Sequence, residues 1–129
     1  MLADVVVLLV DDDPRVRDAL KLLLGRAGAV VDTATSAAAA RTQLQVRSPA
    51  VIVCDIAMPS EDGFSFIRSL RATGSEIPAI ALTAHAMAAD AERAFAAGFD
   101  RHLAKPIDFE HLVASLRDVL ASRPRATSI

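Results

Sequence analysis

The sequence predicts an α/β protein: a single domain of five βα units around an open parallel sheet. Short apolar runs, partly β-branched, recur along the chain as parallel strands covered by helices would. Segments with a helical period of apolar residues separate them. Helix start signals (Pro, Ser, Asp) and stop signals (Gly, Pro) punctuate those segments. A chain of 129 residues with 53% hydrophobic content can build one core and is too short for two ordinary ones.

Residues 5–10, 30–34, 50–54 and 79–83 read as strands buried on both faces. The first helix, 14–27, opens on Pro14 and stops at Gly28, with Val16, Ala19, Leu20, Leu23 and Leu24 as its buried stripe. Ser36 is placed to cap the second helix, which Pro49 closes off. The third helix spans about 64–72 and ends near Gly74, and the fourth spans 88–97 and ends at Gly98. The short run 101–104 supplies the fifth strand. Asp108 caps a fifth helix that carries Glu110 in its first turn and runs to about Ser122. Alternation of this kind implies helices on both faces of the sheet and right-handed crossovers. Residues 1–122 then form the domain, and 123–129 read as a disordered tail or the start of a linker.

In such sheets the functional crevice lies beyond the carboxyl ends of the strands, where strand order reverses. The reactive residue types stand at those ends. Asp11, Asp12 and Asp13 follow the first strand, Asp55 the third, Thr83 ends the fourth, and Lys105 follows the fifth. Taken singly, three aspartates before a proline serve equally well as a helix cap, Thr83 as a strand residue and Lys105 as a solvated charge. Their joint placement points to chemistry. Two carboxylates ~4 Å apart repel by about 4 kcal/mol at an effective dielectric near 20, so something positive must offset them. Lys105 can supply one charge. A divalent cation can supply more, and hard oxygen donors without His or Cys favour Mg2+. A carboxylate can also accept a phosphoryl group covalently, and Asp55, at the tip of the central strand, is the acceptor candidate.

Composition excludes other classes. A formal net charge of −2 argues against nucleic-acid binding. No apolar run approaches the ~18 residues of a membrane span, and the opening stretch lacks the basic region of a signal peptide. The single cysteine, Cys54, excludes an internal disulfide framework, fits a reducing cytoplasm, and reads as a core residue. His102 and His111 have no metal partner at zinc spacing.

Four stretches, LLVDDDP (8–14), VCDIAMPSEDG (53–63), IALTA (80–84) and LAKPI (103–107), resemble the receiver domains of two-component response regulators over about residues 4–121. The resemblance implies a flavodoxin-like doubly wound (βα)5 fold with strand order 2-1-3-4-5. It implies that Asp11 and Asp12 bind Mg2+ (Mn2+ as a substitute) with Asp55 and the Ala57 carbonyl. Asp55 would be the phosphoacceptor, Thr83 and Lys105 would hold the phosphoryl oxygens, and Lys105–Pro106 would be cis. Asp13 lies one place beyond the usual pair and reads as a helix cap. The expected activity is that of a switch rather than an enzyme, one that assists its own phosphorylation and slow autodephosphorylation. A histidine kinase or histidine phosphotransfer protein would be the donor. A downstream protein would bind the face of the fourth helix, fifth strand and fifth helix, to a monomer or weak dimer.

The chain departs from the family where an aromatic usually precedes the lysine by three residues, because His102 stands there. His102 is thus the expected switch residue alongside Thr83, while Ala57 and His85 occupy positions that tune phosphate lifetime. Small residues at Ala57 and Ala84 predict an open site, and the stretches 81–87 and 97–107 resemble receivers of hybrid kinases or phosphorelays. Two alternatives belong to other classes. A phosphohydrolase would use Asp11 and Asp13 as a D-x-D pair and turn over many substrate molecules. A phosphorylation-independent interaction module would keep the fold without the chemistry.

Overall fold

The computed structural model describes residues 2–84 and 88–122. Among the described residues ten elements alternate: β1 (Val6–Val10), α1 (Pro14–Arg26), β2 (Val30–Ala34), α2 (Ala37–Val46), β3 (Val51–Asp55), α3 (Gly63–Ala72), β4 (Ala79–Thr83), α4 (Ala88–Ala97), β5 (Arg101–Ala104) and α5 (Phe109–Ser122). The strands form one parallel sheet in the order β2-β1-β3-β4-β5. That is the predicted flavodoxin-like topology, and it reverses direction between β1 and β3.

Strand periodicity divides the core into two clusters. Leu8, Val10, Ile52, Cys54 and Ala81 pack with Phe66 and Ile67 of α3 and with Ala94 of α4. Val7, Leu9, Val51, Val53, Ile80 and Leu82 pack with Leu20 and Leu24 of α1 and with Leu112 and Leu116 of α5. Each of these fully buried large side chains contributes about 1.5–3 kcal/mol by leaving water. β3 and β4 are buried along their whole length, which puts the centre of the sheet in the core.

The caps follow the sequence reading. Asp13 accepts from the Arg15 amide at the start of α1, and Ser36 accepts from the Ala39 amide at the start of α2. Asp108 accepts from the Glu110 and His111 amides at the start of α5. Gly98 leaves α4 at φ 120°, in the left-handed region that favours glycine.

Three expectations need correction. β2 is not buried on both faces: Val30 is exposed and Val31, Asp32 and Thr33 are half-buried, because β2 is an edge strand covered less completely by helices. Ala19 is exposed, so the buried line of α1 is Leu20 and Leu24, flanked by the half-buried Val16 and Leu23. α3 begins one residue earlier than its apolar period suggests, at Gly63, because Asp62 is its cap and accepts from the Ser65 amide. Residues 123–129 lie outside the described part of the chain, as does His85. Among the described residues, no helix is long and apolar enough to cross a membrane.

Candidate functional site

The end of β1 delivers Asp11 into the crevice with its side chain fully buried, while Asp12 beside it is exposed. Asp55, the last residue of β3, is 4% exposed. Carboxylate oxygens of Asp11, Asp12 and Asp55 all lie within 4.8 Å of one another. Lys105, just past β5, places Nζ 3.3 Å from Asp11 Oδ2 and 3.3 Å from Asp55 Oδ1. The predicted acidic trio and the lysine therefore meet in space, although they come from three different strand ends.

The backbone holds these groups at close range. Asp13 N–H donates to Asp11 Oδ1 at 2.9 Å, and Ala57 N–H donates to Asp55 Oδ1 at 3.3 Å. Lys105 N–H donates to the Thr83 carbonyl at 2.7 Å, which ties the end of β5 to the end of β4. Thr83 is buried at the tip of β4. The Lys105–Pro106 peptide is cis. Ala57 and Ala84 are both exposed.

Charge is poorly balanced here. Burial pushes the Asp55 carboxyl up and Asp11 pushes it further, while Lys105 and the Ala57 amide pull it back; the result is about 6, against an ordinary 3.8. Burial alone would lower the Lys105 ammonium, but Asp11 and Asp55 outweigh burial and raise it. Three carboxylates face one ammonium, which leaves two negative charges without a partner in the cluster. An all-oxygen donor set with that deficit fits a hard divalent cation such as Mg2+. Burial, then Asp55 and Asp11, push the Cys54 thiol far up, so it is a core group and no nucleophile.

Not every expected site residue joins the cluster. His102 sits mid-strand on β5, opposite Ala81, and lines a cleft between β5 and α5 with His111 and Ser115. Its Nε2 is buried and has no hydrogen-bond partner among the described residues. Asp13 is committed to capping α1, which removes it from a D-x-D pair.

Sequence reasoning passed over three contributors. Arg17 donates from Nη1 to the Asp11 carbonyl at 2.9 Å, one helical turn into α1. Gly63 must be glycine, since a Cβ there would lie 2.6 Å from the Asp55 carbonyl oxygen. Its signal was available, because Asp62–Gly63 reads as a cap followed by a close approach. Arg41 and Glu61 form a bidentate pair, with Nη1 to Oε1 at 2.7 Å and Nη2 to Oε2 at 2.8 Å. No local pattern signals that pair, because its members lie on different elements.

Comparison with known proteins agrees with this fold. A family model described as the response regulator receiver domain matches residues 7–117. A 14.6 kDa protein of Leptolyngbya boryana is 39% identical over 95% of both chains. Response regulator Rre1 of Synechocystis is 38% identical over 99% of this chain but only 56% of its own length. Response regulator MprA of Mycobacterium ulcerans is 35% identical, and the chain spans 49% of it. Among solved structures, chemotaxis protein CheY4 of Vibrio cholerae superposes with a TM-score of 0.85 at 30% identity, covering 91% of this chain and 99% of that one. A putative response regulator from Chloroflexus aurantiacus gives 0.86 at 32% identity, covering 92% and 98%.

Proposed function

The chain belongs to the response regulator receiver domain family, and from that membership we propose that it is a phosphorylation switch whose acceptor is Asp55. The observation that carries the reading is Lys105 Nζ standing 3.3 Å from both Asp11 and Asp55, inside a carboxylate trio that one lysine cannot neutralise. Asp11, Asp12, Asp55 and the Ala57 carbonyl would hold Mg2+, or Mn2+ in its place. When bound, the ion supplies positive charge to the carboxylates and to an incoming phosphoryl oxygen.

In this reading an Asp55 carboxylate oxygen attacks the phosphorus of a phosphohistidine on a histidine kinase or phosphotransfer protein. The P–N bond breaks and the imidazole leaves with the electron pair. Asp55 must be ionised to attack, and with its carboxyl near 6 it is largely so at neutral pH. Lys105 and the Thr83 hydroxyl then bind phosphoryl oxygens, and water slowly releases the group again. Ala57 and His85 would set how long it lasts.

Output follows from a shift between two conformations. Thr83 turns toward the phosphoryl group and His102 fills the space it leaves, which changes how a downstream protein meets the α4–β5–α5 face. The domain acts in the cytoplasm over residues 1–122, as a monomer or weak dimer, without binding nucleic acid or membrane. Because the chain spans about half of Rre1 and MprA, a place in a phosphorelay or a larger regulator is part of this proposal.

Acetyl phosphate with Mg2+ tests the reading. Uptake should level off at about one phosphoryl per chain, as expected for an aspartyl-phosphate that water releases slowly and not for a hydrolase that turns over many substrate molecules. Asp55→Asn should abolish uptake while the fold survives. Uptake by that variant would move the acceptor elsewhere, and beryllofluoride that leaves the Asp55 and Thr83 amide signals unmoved would sink the switch itself.

A further inference from the structure

Between Asp55 and Gly63 the chain crosses a loop, residues 56–62, whose ends are well fixed. Ile56 N–H donates to the Leu82 carbonyl at 3.0 Å, and Gly63 N–H donates to the Ile56 carbonyl at 2.9 Å. Its middle closes on itself through Met58 N–H to the Ile56 carbonyl and Glu61 N–H to the Pro59 carbonyl. Ser60 sits at φ 71°, a left-handed conformation that a serine holds only when its surroundings impose it. Such a loop needs an external anchor to keep one shape.

Glu61 provides it. Its two oxygens take the bidentate grip of Arg41 from α2, and Ser65 Oγ donates to Oε2 at 2.9 Å. Arg41 also donates to Ser69 Oγ at 2.8 Å, and its guanidinium lies over the Phe66 ring at 5.4 Å. An exposed ion pair of free side chains contributes little. This pair differs, because both partners are half-buried and each is fixed by further contacts on α3. Among the described residues, Glu61 is the polar tie between the loop and α2.

We propose that Arg41 and Glu61 are positioning residues for the acceptor site: their ion pair locks the loop so that the Ala57 backbone stays aligned with the Asp55 carboxylate for a divalent cation. The inference rests on the receiver reading of that site. Neither side chain touches the carboxylate trio. They act through the backbone that follows Asp55.

The test uses the full chain as wild type, Arg41→Ala, Glu61→Gln and the exchanged pair Arg41→Glu with Glu61→Arg. Amide hydrogen exchange is followed without metal, and Mg2+ is titrated by amide chemical shifts. The single variants should exchange faster at Met58 and Gly63, with β1 amides unchanged, by roughly 10-fold. Their Mg2+ dissociation constants should rise about 3- to 10-fold, the scale of coupling transmitted through a packed segment. Saturating Mg2+ should restore full phosphoryl uptake, and the exchanged pair should recover much of the affinity. Wild-type Mg2+ affinity in the single variants would overturn the proposal. So would faster exchange spread evenly through β1, β3 and β4, which marks general loosening. A wild type whose Asp55 and Ala57 amides ignore Mg2+ would instead overturn the receiver reading, and the positioning role with it.

Discussion

Two clusters of ionised side chains flank the loop after β3, and they treat a carboxylate in opposite ways. At the crevice, burial and Asp11 raise Asp55 to about 6 despite Lys105. At the loop's far side, hydrogen bonds from Arg41 outweigh burial and, helped by Ser65, hold Glu61 down at about 2, against an ordinary 4.5. The first cluster has more negative charge than Lys105 can balance, and two of its three carboxylates, Asp11 and Asp55, are buried. The second is paired one to one and partly open to water. A balanced pair stabilises structure, whereas a carboxylate cluster with excess negative charge, two of its members buried, fits a hard divalent cation.

The contrast predicts two limbs of opposite sign in stability against pH. Asp55 is raised on folding, so its contribution is fully present below about pH 4 and is lost as pH rises through 6. The size is about 3 kcal/mol for the metal-free protein. Asp55→Asn should remove that limb and leave the metal-free variant more stable than wild type at pH 7 by about 2–3 kcal/mol in urea unfolding. Equal or lower stability at pH 7 would mean that Lys105 balances the trio after all.

Lys105→Met sharpens the same cluster from the other side. Phosphoryl uptake from acetyl phosphate should slow on the order of 100-fold, as when one preorganised donor is removed from an active site. The Asp55 carboxyl should move still higher than about 6, read from the pH dependence of Mg2+ binding. An unchanged rate would separate the lysine from the chemistry.

The smallest effect belongs to the balanced pair. Glu61 is lowered on folding, so its contribution is present above about pH 4.5 and is lost as pH falls toward 2. Solvent screening at this partly exposed pair holds the loss to about 1 kcal/mol or less. Glu61→Gln should flatten that acid limb in thermal unfolding and leave the limb between pH 4 and 6 intact. If both limbs moved together, the two clusters would be one.

Much of this was legible in the residues. Asp55, Thr83 and Lys105 stand at strand ends because strands, turns and caps are local patterns, and the doubly wound topology brings those ends to one rim. Asp13 as a cap and Cys54 as core follow from the same local logic. Residues 30–34 were read as buried on both faces although Asp32 and Thr33 stand among them and the implied strand order already puts β2 outermost, where helices cover a strand less completely. Arg41 and Glu61 could not be paired in advance, being 20 residues apart on separate elements. Nor does the sequence reveal that His102 Nε2 is buried without a hydrogen-bond partner among the described residues, since that depends on how α5 packs beside β5.

The sequence by itself thus determined the element order and the reactive residue types, which are written in short-range spacing, while its motifs carried the family resemblance. The tertiary structure alone decided which carboxylate rises and which falls, and which arginine anchors the loop. Those outcomes depend on through-space charge and on the water removed around each group, and neither quantity exists until the chain has folded.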